Sequence, residues 1–320
     1  MMMRVAKPIH DTSGPEVEWD DTPCPLCGHR DEEVQFEAPD PNPNNGDALV
    51  FAVVSCRQCG LKYTNPRPDE ADIARFYPED YRPHRRPRKM VQAGKGSFVG
   101  RWTGRTQRER TGDLPWVGQG RLLDFGCGGG SYMKRMADQG WTVTGLDAAV
   151  GAVRHIQEEL GLLALVGSLP HPDLRPASFD VVTMWHSIEH VHQPLAIVRE
   201  AFRLLIPGGK IVVACPNIDS WAFRTFGPRW FGLDLPRHLT HFTPQTLRAM
   251  LTAGGFLVES IRPIRHSDWI RSSARLAERK GGATPWQKSL VWKPLAKLAA
   301  LATYATNSCD CMMAVATRPE

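Results

Sequence analysis

The fold class of this 320-residue chain is indicated by the stretch Arg121-Leu-Leu-Asp-Phe-Gly-Cys-Gly-Gly-Gly130. A short apolar run ends at Asp124, glycines follow at 126, 128, 129 and 130, and a helix-like segment begins at Ser131. The order strand, glycine turn, helix is typical of open α/β sheets, which bind ligands at the carboxyl ends of strands beside a helix N-terminus. Because glycine has no Cβ, a bulky ligand can lie directly against such a turn.

The surrounding sequence alternates strands and helices as a doubly wound parallel sheet does. Helices are expected between the strands, for example at 149–160 and 194–205, and strands at 121–126, 141–147, 163–167, 179–185, 210–216, 256–264 and 310–317. Some 45 residues separate the last two strands, and a connection of that length usually carries function. The sequence therefore predicts a seven-stranded, Rossmann-like α/β domain at 116–320 with a helical insertion or lid at 265–308.

The positions of two acids narrow the choice of ligand. A nicotinamide fingerprint requires G-x-G-x-x-G, and Ser131 stands where its third glycine belongs. Asp147 ends the next strand about twenty residues later, where a carboxylate suits a pair of ribose hydroxyls. The pattern D-x-G-x-G-x-G at 124–130 resembles motif I of the class I S-adenosylmethionine (SAM)-dependent methyltransferases. The alternative is a plain glycine-rich turn.

That resemblance implies a set of cofactor contacts. The glycine turn would hold the methionine end of SAM, Asp124 its amino group and Asp147 the ribose. Ser168 stands where the family usually has an acid for the adenine amino group, so it is a weaker acceptor. The residues implied in cofactor binding are Asp124, Gly126, Cys127, Gly128, Gly130, Asp147, Ala148, Ser168, Leu169 and Trp185.

Two C-x-x-C-G motifs, which begin at Cys24 and Cys56, predict a metal site. Each motif places two thiolates on a tight turn, and four thiolates form a closed tetrahedral zinc shell, which favours a structural ion over a catalytic one. The pattern indicates metal rather than disulfides and a reducing compartment. The predicted zinc module spans 23–80, with the ligands Cys24, Cys27, Cys56 and Cys59. The other four cysteines are expected to be small buried residues.

Segments that follow the second motif extend the resemblance over most of the chain. Gly60–Pro68 and Phe76–Tyr81, together with the cysteine motifs and the glycine turn, resemble bacterial methyltransferases that carry an N-terminal zinc-binding module. That family is often associated with sugar, cell-surface polysaccharide and secondary-metabolite pathways. The resemblance implies a SAM-dependent transferase that methylates oxygen or carbon of a small-molecule or glycan acceptor.

Four histidines and one glutamate are the candidates for catalysis. Methyl transfer is an in-line displacement with a neutral leaving group, so a hydroxyl acceptor needs alignment and a base, for which His is the default at neutral pH. His186, Glu189 and His190 follow the fourth strand, at the edge that faces the donor methyl group in the family. His238 and His241 lie in a segment that resembles the cover of the pocket. The family motif favours His190 and His241; Glu189 would orient a histidine or only favour a helix start. Each histidine alone is also compatible with a structural role.

Two other functions stay open at this point. The net charge of +5 and the basic stretch 82–110 are compatible with an rRNA or RNA methyltransferase that holds RNA through the zinc module. However, residues 185–188 lack the Asn/Asp-Pro-Pro-aromatic motif of base N-methyltransferases, which argues against methylation of a base amino group and makes nucleic acid the less favoured acceptor; carbon methylation of rRNA stays possible, since some rRNA enzymes also have an N-terminal zinc site. The third reading is a non-catalytic SAM-binding or zinc scaffold protein.

The remaining segments bear on location and partners. Residues 1–22 are expected to form a disordered tail and 81–115 a basic linker. The sequence shows no secretory signal pattern and no apolar run of about eighteen residues, so a cytoplasmic location is predicted. Residues 286–302 mix Trp, Lys and Leu with few acids, which suits a lid, a dimer contact or peripheral contact with a membrane surface. The oligomeric state does not follow from the sequence.

Overall fold

The computed structural model describes residues 17–41, 49–77 and 116–320. Its strands are β1 (Trp19–Asp20), β2 (Glu32–Pro39), β3 (Val50–Cys56), β4 (Lys62–Thr64), β5 (Arg67–Pro68), β6 (Arg121–Phe125), β7 (Thr142–Asp147), β8 (Leu163–Val166), β9 (Phe179–Trp185), β10 (Leu205–Pro216), β11 (Thr240–His241), β12 (Leu257–Ile264) and β13 (Cys311–Thr317). Its α-helices are α1 (Ser131–Asp138), α2 (Val150–His155), α3 (Pro194–Leu204), α4 (Trp221–Phe226), α5 (Pro244–Ala253), α6 (Ser267–Arg279), α7 (Pro285–Ser289) and α8 (Lys293–Ala305).

The central sheet has seven strands in the order β12-β13-β10-β9-β6-β7-β8. Strands β6 to β10 pair in parallel, and β13 runs antiparallel to both β10 and β12. This confirms the Rossmann-like seven-stranded α/β fold. The largest boundary difference is that β10 begins at Leu205 rather than 210, because Leu205 already pairs with Phe179 ahead of a register shift.

The central strands of the sheet are buried on both faces, which explains their nearly continuous apolar sequences. In β9 all residues from Phe179 to Met184 are buried. Helix α3 packs an apolar stripe against the sheet through Ile197, Val198, Ala201 and Leu204, the spacing of one helix face. The chain order reverses between β6 and β9, and ligands bind at the carboxyl ends of strands beside such a switch point.

The N-terminal module is built around a four-stranded antiparallel sheet of order β11-β4-β3-β2. Strand β11 belongs in sequence to the α/β domain, yet Thr240 pairs with Tyr63 and His241 with Lys62. The α/β domain therefore donates the edge strand of the module. This sharing is a structural fact that the predicted boundary at residue 80 does not convey.

Strand β1 corrects the predicted disordered tail at 1–22. Trp19 pairs with Pro68, and the Arg67 guanidinium donates to the Asp20 carboxylate at 3.0 and 3.1 Å. Residues 17–22 are thus part of the module, because a buried arginine holds them. The rest of the tail and the predicted linker at 81–115 lie outside the described residues.

The insertion at 265–308 is helical, as predicted, and consists of α6, α7 and α8. Ile270 and Ala274 of α6 and Ala296 and Ala300 of α8 share one buried cluster with Phe51 of the module. The insertion and the module therefore pack on the same core. Within the described ranges, no helix combines the length and the apolar character needed to cross a membrane.

Candidate active site

The turn after β6 has a backbone that only glycine adopts at low cost. Gly126, Gly128 and Gly130 have φ angles of 71°, 51° and 72°. A Cβ on Gly126 would lie 2.4 Å from the Cβ of Ser187, and one on Gly130 would lie 2.7 Å from a side-chain carbon of Ile156. Positive φ and close approach together exclude larger residues. The turn consequently packs tightly against the segment that follows β9.

Asp147, the predicted ribose ligand, faces this turn from the end of β7. Its carboxylate accepts one hydrogen bond from the Gly128 N–H and one from the Ala149 N–H, both at 2.8 Å. Two oxygens offer about four lone-pair sites, so capacity remains for ligand hydroxyls. Gly167 N–H donates to the Asp147 carbonyl at 2.9 Å, which brings the exposed Ser168 beside the exposed Ala148.

Asp124 and Cys127 lie deeper than the turn itself. Asp124 is 2% exposed and accepts a hydrogen bond of 2.7 Å from the Thr183 hydroxyl. Burial raises the pKa of Asp124 to about 7. The Cys127 sulfur packs beside Gly145, and burial raises the pKa of its thiol. These two side chains belong to the floor of the site, and Leu169 is also buried.

Two buried polar atoms near the turn have no hydrogen-bond partner within the described part of the chain. They are the Ser187 hydroxyl oxygen and the Trp185 indole nitrogen; the Trp185 ring lies 5.1 Å from that of Tyr132, in the first turn of α1. Leaving a buried polar group unsatisfied costs about 1–3 kcal/mol, so a ligand that supplies partners is favoured. Together with the glycine turn and Asp147, these groups fit SAM, which carries charged, hydroxyl and aromatic parts.

His186 follows β9 directly and is held by a buried carboxylate. Its Nδ1 lies 3.3 Å from Glu189 Oε1, and the histidine side chain is 33% exposed while that of Glu189 is 1% exposed. The backbone φ of His186 is 52°, a conformation that costs on the order of 1–3 kcal/mol and is common at functional sites. A part-exposed imidazole oriented by a buried acid is the arrangement of a base and its orienting group.

Glu189 is fully buried and carries charge. Burial alone would raise its pKa, but the hydrogen bond with His186 and the nearby histidines lower it below the ordinary value. Its second oxygen, Oε2, has no hydrogen-bond partner among the residues the structure describes. The carboxylate is therefore a buried anion with one oxygen that no described residue satisfies.

The rings of His190 and His238 pack against each other. Their ring centroids are 4.6 Å apart in an edge-to-face arrangement. The Nδ1 of His190 lies 3.0 Å from both the Tyr77 hydroxyl and the Arg237 carbonyl oxygen, and His238 Nδ1 lies 2.9 Å from the Gly232 carbonyl. Since a carbonyl only accepts, each Nδ1 carries the proton. Burial lowers the pKa of His190 to about 4.

His241 lies in the module sheet. It is 4% exposed, and its Nε2 is 3.1 Å from the Thr64 hydroxyl, which also donates to the His238 carbonyl at 3.0 Å. Burial lowers the pKa of His241 to about 3. Of the five predicted catalytic residues, the structure brings His186, Glu189, His190 and His238 into direct contacts and ties the ring of His241 to the module.

Aromatic residues that the sequence analysis did not single out surround His186. The Trp269 ring centroid is 5.3 Å from that of His186, His266 stacks on Trp269 at 5.4 Å, and Phe231 meets Trp269 edge-on at 5.5 Å. Trp269 and His266 belong to the insertion. No local sequence pattern in 265–270 predicts the contact between Trp269 and His186, because it depends on how the insertion packs against the end of β9.

The four motif cysteines converge as a metal site requires. Cys24 Sγ lies 3.4 Å from Cys59 Sγ, Cys27 Sγ lies 3.5 Å from Cys56 Sγ, and all four sulfurs are within 4.8 Å of one another. Zn–S bonds of about 2.3 Å in a tetrahedron place sulfurs about 3.8 Å apart. The donor set and the spacing fit one closed four-thiolate zinc site.

The two turns that carry these cysteines have the same construction. In each turn, the backbone carbonyl of the first cysteine accepts a hydrogen bond of 2.9 Å from the N–H of the trailing glycine. That glycine has a φ of 75° (Gly28) or 74° (Gly60). The positive φ explains the glycine in both motifs. Two further groups of potential ligand atoms occur in the described ranges, namely Glu189, His190 and His238, and His186, His266 and Cys311.

Comparisons with known proteins identify the family of this chain. Residues 84–261 match a family model described as a methyltransferase domain. A ubiquinone biosynthesis O-methyltransferase of Xanthomonas euvesicatoria pv. vesicatoria is 34% identical over 171 residues, which are 50% of this chain and 71% of that protein. Its counterpart in Xanthomonas campestris pv. campestris is 32% identical over 173 residues, with the same coverage.

A SAM-dependent methyltransferase structure from Archaeoglobus fulgidus is 18% identical, with a TM-score of 0.44 over 63% of this chain and 87% of that one. The family model spans more than half of the chain, and the two relatives align over more than two thirds of their own length. The chain belongs to the methyltransferase domain family and is a class I SAM-dependent methyltransferase.

Proposed function

We propose that the chain transfers the methyl group of SAM to a hydroxyl oxygen of a small-molecule or glycan acceptor, with His186 as the general base. The observation that carries this proposal is the His186–Glu189 pair. His186 is the chain neighbour of Ser187, and Ser187 packs against Gly126 of the glycine turn. The two relatives are named O-methyltransferases, which supports oxygen over carbon as the accepting atom.

SAM, when bound, supplies an electrophilic methyl group on a sulfonium. The glycine turn and Asp147 would hold it, with Ser187 and Trp185 offering their unpartnered polar atoms. Ala148, Ser168 and Leu169 would flank the adenine, as the family resemblance implies. The ligand would then lie at the carboxyl edge of β6, β7 and β9, next to His186.

The proton of the acceptor hydroxyl is the group that His186 has to remove. Because its Nδ1 is engaged by Glu189, Nε2 is the nitrogen available to take that proton. The imidazolium that forms is stabilised by the buried Glu189 carboxylate, as in other base–orienter pairs. General base catalysis of this kind contributes typically about 10²–10⁴-fold in rate.

Aromatic rings enclose the His186–Glu189 pair on the side of His186. Trp269 and His266 pack beside His186, and Phe231 packs on Trp269. These rings would exclude water and press a small acceptor against the base. This enclosure supports a small acceptor over a folded RNA. His190, His238 and Tyr77 form a neighbouring wall whose hydrogen bonds stay within the protein, so we assign them to positioning rather than proton transfer.

We also propose that Cys24, Cys27, Cys56 and Cys59 hold a structural zinc ion. A closed shell of four thiolates leaves no coordination position for substrate. The ion would order the module turns and, through β4 and β11, the segment that carries His238 and His241.

The test is formation of S-adenosylhomocysteine over a panel of hydroxyl acceptors, with phenols, nucleotide sugars, polyprenyl-linked glycans and an rRNA fragment. With the best acceptor, His186→Gln should lower kcat about 10²–10⁴-fold and leave S-adenosylhomocysteine binding unchanged. His192→Gln, a buried histidine bonded to the Pro68 carbonyl, is the matched control. Full turnover by His186→Gln would remove the base from the proposal, and activity on the rRNA fragment alone would overturn the acceptor class.

A further inference from the structure

A cluster of three metal-ligating side chains joins distant parts of the chain beside the candidate base. His186, His266 and Cys311 each place one ligand atom within 4.8 Å of the other two. His266 immediately precedes α6, and Cys311 begins β13. His266 and Cys311 therefore flank the helices α6 to α8, and His186 directly follows the strand at which catalysis is proposed.

Within the described ranges, no hydrogen bond engages the Cys311 sulfur, the His266 ring nitrogens or the Nε2 of His186. Cys311 is a free, fully buried thiol that takes part in no hydrogen bond with any described residue. The His266 ring stacks on Trp269 and meets His186 edge-on, and neither contact occupies a ring nitrogen. His186 binds Glu189 through Nδ1 alone, which leaves Nε2 as a donor.

Glu189 is placed to accept the second ring N–H of His186, as an acceptor usually does for a metal-bound histidine. Histidine ligands usually donate their second ring N–H to a carboxylate or carbonyl, which fixes the ring and raises its basicity. The contact between Glu189 and His186 Nδ1 has this form. In addition, Glu189 Oε2 is buried without a hydrogen-bond partner in the described chain, so a nearby cation would offset an uncompensated buried charge.

We propose that His186, His266 and Cys311 bind one thiophilic divalent cation, for which Zn²⁺ is the probe. Two imidazoles and a thiolate suit the borderline-soft metals, and three protein ligands leave a fourth position open. Bond lengths of about 2.0–2.3 Å require ligand atoms less than about 4 Å apart, so side-chain shifts of about 1 Å close the site. The ion would pin both ends of the insertion to the end of β9.

Binding of this ion does not depend on the proposed function. Only its expected effect on turnover rests on the proposal that His186 is the base. A cation on His186 occupies the nitrogen lone pair that the base needs. Metal binding and methyl transfer would then exclude each other, and zinc would act as a reversible inhibitor. The binding itself is measured without any acceptor, so its failure is distinguishable from a failure of the proposed reaction.

The experiment titrates Zn²⁺ into protein that keeps one ion in its four-cysteine site, in competition with a chromophoric chelator too weak to remove that ion. Cys311→Ser removes the thiolate, and Cys309→Ser is the matched control, because Cys309 is equally buried two residues away but lies outside the cluster. Wild type and Cys309→Ser should each bind one more ion per chain than Cys311→Ser. Glu189→Gln should weaken that additional ion about 10–100-fold, the usual effect of losing a group that orients a ligand.

Binding of S-adenosylhomocysteine and the unfolding midpoint report whether each variant is folded. If Cys311→Ser is not, His266→Gln serves in its place. The proposal is overturned if the folded variants bind the same number of ions, with the same affinity, as Cys309→Ser. With an active acceptor, zinc should inhibit wild type and Cys309→Ser but not Cys311→Ser. Equal inhibition of all three would overturn the competition at His186.

Discussion

The guanidinium of Arg237 and the carboxylate of Asp40 form a buried ion pair, with 2.8 Å between Nη2 and Oδ1 and side-chain exposures of 2% and 0%. Asp40 follows β2 in the N-terminal module, whereas Arg237 precedes β11 in the α/β domain. The same guanidinium donates to Asp234 and to the Phe76 carbonyl, both at 2.8 Å. The module and the wall of the active site are therefore joined by buried charge as well as by a shared sheet.

Asp40→Ala should destabilise the whole chain. Removal of one partner leaves a buried charge with less compensation, which costs about 3–5 kcal/mol. The measurement is the free energy of unfolding in urea. The matched control is Asp219→Ala, which breaks a solvent-exposed ion pair with Arg224 and should change that free energy by about 0–1 kcal/mol. Equal effects of the two variants would contradict the role given to the buried pair.

Removal of metal from the four-cysteine site should loosen the wall of the active site as well as the module. Strand β11 depends on β4 for its pairing, and Thr64 bonds both the His238 carbonyl and the His241 ring. Hydrogen exchange should therefore speed up at 237–241 together with 50–64 when a chelator or Cys24→Ser removes the ion. The expected zinc content of untreated protein is one tightly held ion at this site. Faster exchange in the module with no change at 237–241 would speak against the coupling.

Asp147→Asn should weaken binding of S-adenosylhomocysteine. The substitution preserves shape but removes the charge that accepts from Gly128 and Ala149 and that would accept from the ribose. Hydrogen bonds to charged groups are worth about 1.5–3 kcal/mol, so the expected loss is about 10–100-fold in Kd by titration calorimetry. Asp173→Asn, at an exposed carboxylate, should bind as wild type does. Unchanged binding by Asp147→Asn would place the ribose elsewhere.

His241 should make the stability of the protein depend on pH. Its native pKa is lowered to about 3 by burial, while the unfolded value is about 6.5. Below pH 6.5 the unfolded chain binds a proton that the native state refuses, so this histidine favours folding above pH 6.5 and loses that contribution as the pH falls toward 3. The slope from one such group is about 1.4 kcal/mol per pH unit.

The measurement for this prediction is the difference in unfolding free energy between wild type and His241→Gln, followed from pH 7 to pH 4. Buried Asp124 and Asp310, whose pKa values are raised to about 7, titrate with the opposite sign but are common to both proteins. The difference should shift in favour of His241→Gln as the pH falls. A difference that is constant with pH would show that His241 is not buried in its neutral form.

The parts of this protein that could be predicted from the sequence are those in which local spacing dictates geometry. A glycine turn between an apolar run and a helix adopts positive φ because no other residue does so cheaply, and Asp147 meets it because parallel neighbours end at the same edge. The cysteine pairs likewise converge through two turns of identical construction. The seven strands and the helical insertion follow from periodicity, with errors of a few residues where β10 begins early and where β1 orders part of the predicted tail.

Which polar groups come into contact depends on the tertiary structure. The Arg237–Asp40 pair, the bond between His241 and Thr64, and the approach of Trp269 to His186 join residues about 80 to 200 positions apart. The family motif favours His190 and His241 as bases, whereas our proposal of His186 rests on burial and hydrogen bonding, which are properties of the packed molecule. Residue type and spacing determine which chemistry the chain carries, whereas the dielectric and the partners that select one histidine exist only after the chain has folded.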